Sequence, residues 1–258
     1  MLRKSKDKLE IVNNHTQNSK EKISQQDNND YTHKNYKIGH RKRLKERFLK
    51  NHNNLEAIFK YELLELLLFQ VIPRKDVKDL AKDLLDKFGS VNGVIHADSS
   101  KLLKVKGVSQ KVLLQFKIIR TIINNILKER VEENDLILKW SDLVEYLKFS
   151  SGHEKIEHFR VLFMNGSCEL IADEIISTGT INRTSVYPRE IVKHALFYEA
   201  SALILVHNHP GKNTQPSDAD IITTKNIISI CNPLNIKIYD HVIVSYNNYY
   251  SFKNNLII

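Results

Sequence analysis

The segment that constrains the fold most is the run ALILV at 202–206, which leads directly into His207-Asn208-His209-Pro210. Five consecutive apolar residues, mostly Leu or β-branched, are too few for a helix. They also lack the alternation of a half-exposed strand, so they read as a central strand covered on both faces. Such a strand needs helices to cover it, and the flanking sequence supplies them. Residues 140–149, 188–201 and 217–230 are predicted as helices, the second with Pro188 in its first turn. Further strands are predicted at 158–165, at 168–176 across Asn165-Gly166, and at 236–245, where Asn247-Asn248 turns the chain back into YYSF. The C-terminal half is therefore expected to be a mixed α/β domain spanning 132–258.

The remainder reads differently. At 258 residues the chain has room for two domains, since one takes roughly 100–200 residues. Residues 1–37 are Asn, Gln, Ser and Lys with almost no apolar periodicity, a composition that cannot offset the entropy of ordering, so a disordered basic tail is expected. Residues 38–131 carry helical spacing throughout. YELLELLLF ends at Pro73, DVKDLAKDLLDKF stops at Gly89, and two further helical pieces meet at Lys106-Gly107-Val108-Ser109. The acidic EEND at 132–135 is predicted to link this helical domain to the second. The fold class expected is thus α/β in the broad α+β sense, with an all-helical N-terminal domain.

Charge follows the same division. Residues 1–131 hold 28 Lys and Arg against 15 Asp and Glu, whereas 132–258 hold 11 against 15. Contact with a polyanion such as DNA is therefore expected of residues 38–131 and the basic tail, if anywhere, the alternative being a solvated lysine surface. The longest apolar run, 63–72, is interrupted by Glu65 and falls short of the roughly 20 residues a bilayer requires, so no membrane partner is expected. No apolar core follows the basic start of the chain, which argues against a secretory signal and for the cytoplasm. Cys168 and Cys231 are too few and too far apart to form a framework or a metal knuckle.

The informative constellation is His207, His209, Ser217 and Asp220, a spacing of His-x-His-x7-Ser-x2-Asp. In an extended chain residues i and i+2 face the same side, so the two imidazoles converge at the end of the central strand. Asp220 falls in the first turn of the next helix, and the loop at 210–216 is long enough to fold that turn back toward them. Two His and one carboxylate suit Zn²⁺, and three protein ligands leave a fourth position for water. The competing reading is a capping box, in which Ser217 caps the helix and Asp220 reaches back to it. Asp240-His241 reads as a core pair, the alternative being that it takes the second ring N–H of a metal-bound histidine.

This spacing resembles the JAMM motif of MPN-domain metalloproteases, and the chain resembles the RadC family of bacteria in particular. The resemblance runs through Glu157-His158-Phe159, Gly179-Thr180, Pro188-Arg189-Glu190, His207-Asn208-His209-Pro210, Pro216 to Asp220, Asp240-His241 and Ser251-Phe252. It extends more loosely over GHRKRL, the ELL helix, FGS and the KGV turn, so that it covers about 38–258. It implies an MPN/JAB domain with a cytidine-deaminase-like fold, a zinc site of His207, His209 and Asp220, and hydrolysis of a peptide or isopeptide substrate. It further implies Glu157 as general base and Ser217 as donor to the developing oxyanion; Glu154 and Glu190 are the competing acidic residues, and a surface salt bridge is the ordinary fate of an exposed Glu. The N-terminal domain resembles a helix-hairpin-helix module, whose turn holds DNA phosphates; here Ser109 replaces its usual second glycine. The alternative function is a DNA-associated repair or recombination accessory protein with a non-catalytic MPN scaffold. After the histidines, Gly211-Lys212-Asn213-Thr214 stands where the family usually has Ser-Gly-Asp-Pro.

Overall fold

The computed structural model describes residues 39–133, 139–179, 186–211 and 213–258. The tail at 1–37, Asn134 and Asp135 of the expected linker, Thr180 and Lys212 lie outside the described residues. The protein is α+β and divides into two compact units, Met1–Lys117 and Ile118–Ile258.

In the first unit, α1 (His40–Asn51), α2 (Lys60–Val71), α3 (Lys78–Phe88), α4 (Val91–Ile95) and α5 (Ser99–Leu103) precede the long α6 (Gln110–Glu132). Leu44, Leu64, Leu68, Ala81, Leu84, Val94, Leu102, Val112 and Phe116 form one buried core. The helix boundaries follow from local chemistry. The Glu62 carboxylate accepts the Phe59 N–H at 3.1 Å where α2 begins. Gly89, at φ 79°, closes α3 in the left-handed conformation that glycine tolerates, its N–H donating to Leu85 O. Glu65, the charge that interrupts the apolar run of α2, is fully buried and lies 3.0 Å from His40 Nε2. Burial pushes its carboxyl above the ordinary value. No helix among the described residues is long and apolar enough to cross a membrane.

The second unit is a five-stranded sheet in the order β2-β1-β3-β4-β5. Its strands are β1 (His158–Met164), β2 (Leu170–Thr178), β3 (Ala202–Asn208), β4 (Lys237–Val244) and β5 (Tyr249–Ser251). β1 runs antiparallel to both β2 and β3, β3 is parallel to β4, and β5 pairs antiparallel to β4. Every residue of β3 is buried. Ala202, Ile204 and Val206 join Leu127, Val131, Leu143 and Leu147, from α6 and α7 (Trp140–Ser151), in the core on one face. Leu203 and Leu205 join Ile191, Ala195, Ile227 and Cys231, from α8 (Pro188–Phe197) and α9 (Asp218–Cys231), in the core on the other. The strand is thus covered on both faces, and each large apolar side chain it buries contributes roughly 1.5–3 kcal/mol.

A buried ionic cluster ties β1, β2 and α7 together. The Arg160 guanidinium pairs with the Asp173 carboxylate and donates to Ser150 Oγ at 2.9 Å and Ser151 Oγ at 3.0 Å. The Tyr146 hydroxyl donates to the same carboxylate at 2.7 Å. Burial works against the Arg160 charge, but Asp173 outweighs it and the guanidinium is held more firmly charged than usual.

Two sequence expectations shift. The helix begun at Pro188 stops at Phe197 rather than reaching 201. Glu199 takes a left-handed φ of 52° and the Ala200 N–H returns to Ala195 O at 2.9 Å, after which Ser201 N–H joins β1 at Met164 O. The strand expected at 168–176 occupies Leu170–Thr178, because Asn165 Oδ1 accepts both Ser167 and Glu169 N–H and extends the turn. The division between the two compact units falls within α6, at Lys117/Ile118; this helix gives Val112, Leu113 and Phe116 to the first core and Leu127 and Val131 to the second.

Candidate metal centre

The alternation that covers β3 on both faces also sorts its polar end. His207 follows Leu203 and Leu205 onto the face of α8 and α9, where its ring stacks on Phe159 at 6.2 Å between centroids. Asn208 points the other way. The chain continues past β3 with the His209 N–H donating to Val244 O at 3.0 Å, which returns the second imidazole to the His207 side.

Asp220 arrives from α9. Ser217 caps that helix: its hydroxyl accepts the Asp220 N–H at 3.2 Å and donates to Asp220 Oδ2 at 2.7 Å, and its own N–H donates to the same oxygen at 2.7 Å. The capping box is formed, and it aims the carboxylate rather than occupying it. Asp220 Oδ1 lies 3.5 Å from His207 Nε2 and Oδ2 lies 3.7 Å from His209 Nε2. The two Nε2 atoms are 2.8 Å apart, and all three side chains offer ligand atoms within 4.8 Å of one another. Capping and convergence, alternatives in sequence, are simultaneous in the fold.

The donor set fits a divalent cation. His209 Nδ1 donates to Asn213 O at 3.1 Å, which leaves its Nε2 toward the site. Nitrogen lone pairs and a carboxylate this close repel unless a proton or a cation lies between them. A tetrahedral zinc bonded at about 2.0–2.1 Å sets neighbouring ligand atoms roughly 3.3 Å apart, within the observed span. His207 is nearly buried, and that burial pushes its imidazole down to about 4, so it is neutral at ordinary pH. Asp220 instead raises His209. Burial opposes the Asp220 charge, but His209, His207 and Ser217 outweigh it and hold the carboxyl well below the carboxylate range.

Glu157 is half-buried and immediately precedes β1. Its backbone carbonyl accepts the Gly179 N–H at 2.8 Å, and its charge is near enough to act on His209. The other two candidates are committed elsewhere. Glu154 pairs with Arg120 at 2.6 Å, and Glu190 with Arg189 at 3.4 Å and Lys193 at 4.0 Å.

Three further residues, Asn208, His241 and Thr224, bond to this group or to its neighbours. Asn208, the spacer between the histidines, is buried. Its Oδ1 accepts the His158 N–H at 2.8 Å and its Nδ2 donates to Ile156 O at 2.9 Å, so both neighbours of Glu157 are tied to the end of β3. His241 Nε2 meets His207 Nδ1 at 3.0 Å, and its Nδ1 meets Thr224 Oγ1 at 2.6 Å. Asp240 and His241 do pair in the core, the His241 backbone N–H donating to Asp240 Oδ1 at 2.7 Å, while the His241 ring turns to His207. Asp240 serves the chain terminus, accepting from Ser251 Oγ at 2.5 Å and from the Lys253 N–H at 2.9 Å. A sequence signal existed for Thr224, which lies one helical turn beyond Asp220, and for Asn208, which alternation turns away from its neighbours.

The family profile described as a RadC-like JAB domain matches residues 137–257. A UPF0758 protein of Ruegeria pomeroyi is 43% identical over 214 residues, which is 83% of this chain and 95% of that one.

Proposed function

The chain belongs to the RadC family, and from that membership and the site's donor set we propose that its second unit is a zinc-dependent peptidase or isopeptidase. The observation that carries this reading is the convergence of His207, His209 and Asp220 within 4.8 Å at the end of a fully buried strand. These three residues would hold the ion. Zinc bound there supplies a Lewis acid for the scissile carbonyl and brings the pKa of water toward about 7.

The protein's own groups do the rest. Glu157, held beside His209 by the Asn208 tethers, takes the proton of the attacking water on its carboxylate and passes it to the leaving amine. Ser217 exchanges its bond to Asp220 Oδ2 for one to the developing oxyanion. Asp220 keeps the Ser217 backbone N–H during that exchange, so the helix start stays capped. The full chain loaded with zinc, assayed against a panel of fluorogenic peptides and isopeptide-linked conjugates, tests the assignment. Glu157→Gln should bind zinc as the wild type does and lose about 10²- to 10⁴-fold in turnover. Equal turnover by both proteins would contradict the role given to Glu157.

One observation favours a second reading, a DNA-associated accessory protein whose second unit is a non-catalytic scaffold. Lys101, Lys104, Lys106 and Lys111 are all exposed around the turn between α5 and α6, where Gly107 adopts φ 99°. Cations flanking a helix start suit backbone phosphates rather than bases. For the full chain on a duplex oligonucleotide, replacing these four lysines by alanine should flatten the slope of log affinity against log salt by about 1 per lysine in phosphate contact. Identical slopes would contradict it.

A further inference from the structure

We infer that Thr224 and His241 form a hydrogen-bond relay that decides which nitrogen of His207 carries the proton, and so presents a bare Nε2 to the metal. The inference deepens the proposed site and rests on His207, His209 and Asp220 being the ligand set.

The relay follows from counting protons. The Asp220 backbone carbonyl can only accept, and Thr224 Oγ1 lies 2.6 Å from it, so the single hydroxyl proton is spent there. His241 Nδ1 lies 2.6 Å from the same Oγ1. With its proton committed, that oxygen can only accept, and Nδ1 of His241 must be the N–H. A neutral imidazole carries one N–H, which leaves His241 Nε2 as an acceptor. Its partner at 3.0 Å is His207 Nδ1, which therefore donates. The remaining nitrogen of His207, Nε2, is then bare, and it is the atom that faces His209 and Asp220.

These protons are shielded from solvent. His241 is 1% exposed, Thr224 is fully buried and His207 is 6% exposed. The His241 ring is stacked on Phe252 at 4.5 Å and set edge-on to Phe159 at 5.7 Å, so it cannot swing away. The relay also closes on itself, because Asp220 supplies its first acceptor through the backbone and its last neighbour through the carboxylate. A free histidine in water favours the opposite tautomer, with the proton on Nε2, which would aim a hydrogen at the ion. Metal-bound histidines are commonly oriented by a carboxylate or a carbonyl. Here a second neutral imidazole does that task, adding no negative charge to the site. Thr224 and His241 are accordingly positioning residues for His207.

The test uses the full chain, with ¹⁵N-labelled histidine read by two-bond ¹H–¹⁵N correlation in the metal-free state, and zinc affinity read by chelator competition. Wild type and Thr224→Ser should both show His207 and His241 protonated on Nδ1. Thr224→Val, which keeps the shape but removes the hydroxyl, should lose the single tautomer at His207 and bind zinc about 10- to 100-fold more weakly. A merely structural threonine would change the melting temperature while leaving both the tautomer and the affinity of the folded protein alone. A proton on Nε2 of His207 in the wild type, an imidazolium at His241, or unchanged tautomer and affinity in Thr224→Val would each overturn the relay. A wild type that shows the expected tautomers yet binds no zinc would overturn the ligand set instead, so the two failures are distinguishable.

Discussion

His207→Ala should leave the purified full chain without stoichiometric zinc, while the wild type retains it through gel filtration and surrenders it only to a strong chelator. The effect should exceed about 100-fold in affinity, because loss of a bond that merely supports a ligand already costs about 10- to 100-fold. His207 contributes more than a donor atom. It is the buried member of the three and is fixed on both sides, by Phe159 and by His241, so its removal also frees His241. Thermal melts give an independent readout. A ligand that binds only the folded chain stabilises it by about 2.7 kcal/mol at 100 times its dissociation constant. Wild type should therefore melt at higher temperature with added zinc, and His207→Ala should not. Identical metal content and identical melting shifts in the two proteins would remove the metal from the account.

Arg160→Met should destabilise the second unit by about 3–5 kcal/mol, the usual result of breaking a buried ion pair from one side. Domains of this size hold about 5–15 kcal/mol in total, so much of the margin goes. The physical reason is the partner left behind. The Asp173 side chain is 2% exposed, and without the guanidinium it keeps the Tyr146 hydroxyl as its remaining donor in the cluster. Ser150 and Ser151 lose their shared donor as well. Urea denaturation followed by far-UV circular dichroism measures the loss. The double variant Arg160→Met, Asp173→Leu should recover most of it, since replacing both members of a buried pair by apolar groups is often neutral or stabilising. A loss below about 1 kcal/mol in the single variant would show the cluster to be no more than an exposed pair.

How much of this was legible in the sequence depends on the range of the interaction. The central strand could be read because five apolar residues in a row leave few ways to be buried, and the histidine pair because alternation along a strand is a local rule. Asp220 could be read because its place in the first turn of a helix is also local. The role of His241 could not. Its neighbour in sequence is Asp240, but adjacent residues on a strand face opposite sides, and only the parallel register of β3 on β4, with Leu205 opposite His241 and Ile243 opposite His207, brings the two imidazoles together. The end of α8 was misplaced for a related reason: Glu199 takes a left-handed conformation without the glycine that normally marks such a stop. The sharing of α6 between two cores was not legible either, because its helical pattern continues unbroken from Val112 and Phe116 in the first to Leu127 and Val131 in the second.

Two imidazoles and one carboxylate holding a single ion that keeps a solvent molecule give a distinctive zinc K-edge absorption spectrum. In the purified full chain it should show one zinc per chain, with four nitrogen or oxygen neighbours at about 2.0–2.1 Å and the outer-shell scattering of two histidine rings. Sulfur neighbours at about 2.3 Å, or a chain that carries no stoichiometric metal after purification without chelator, would contradict it.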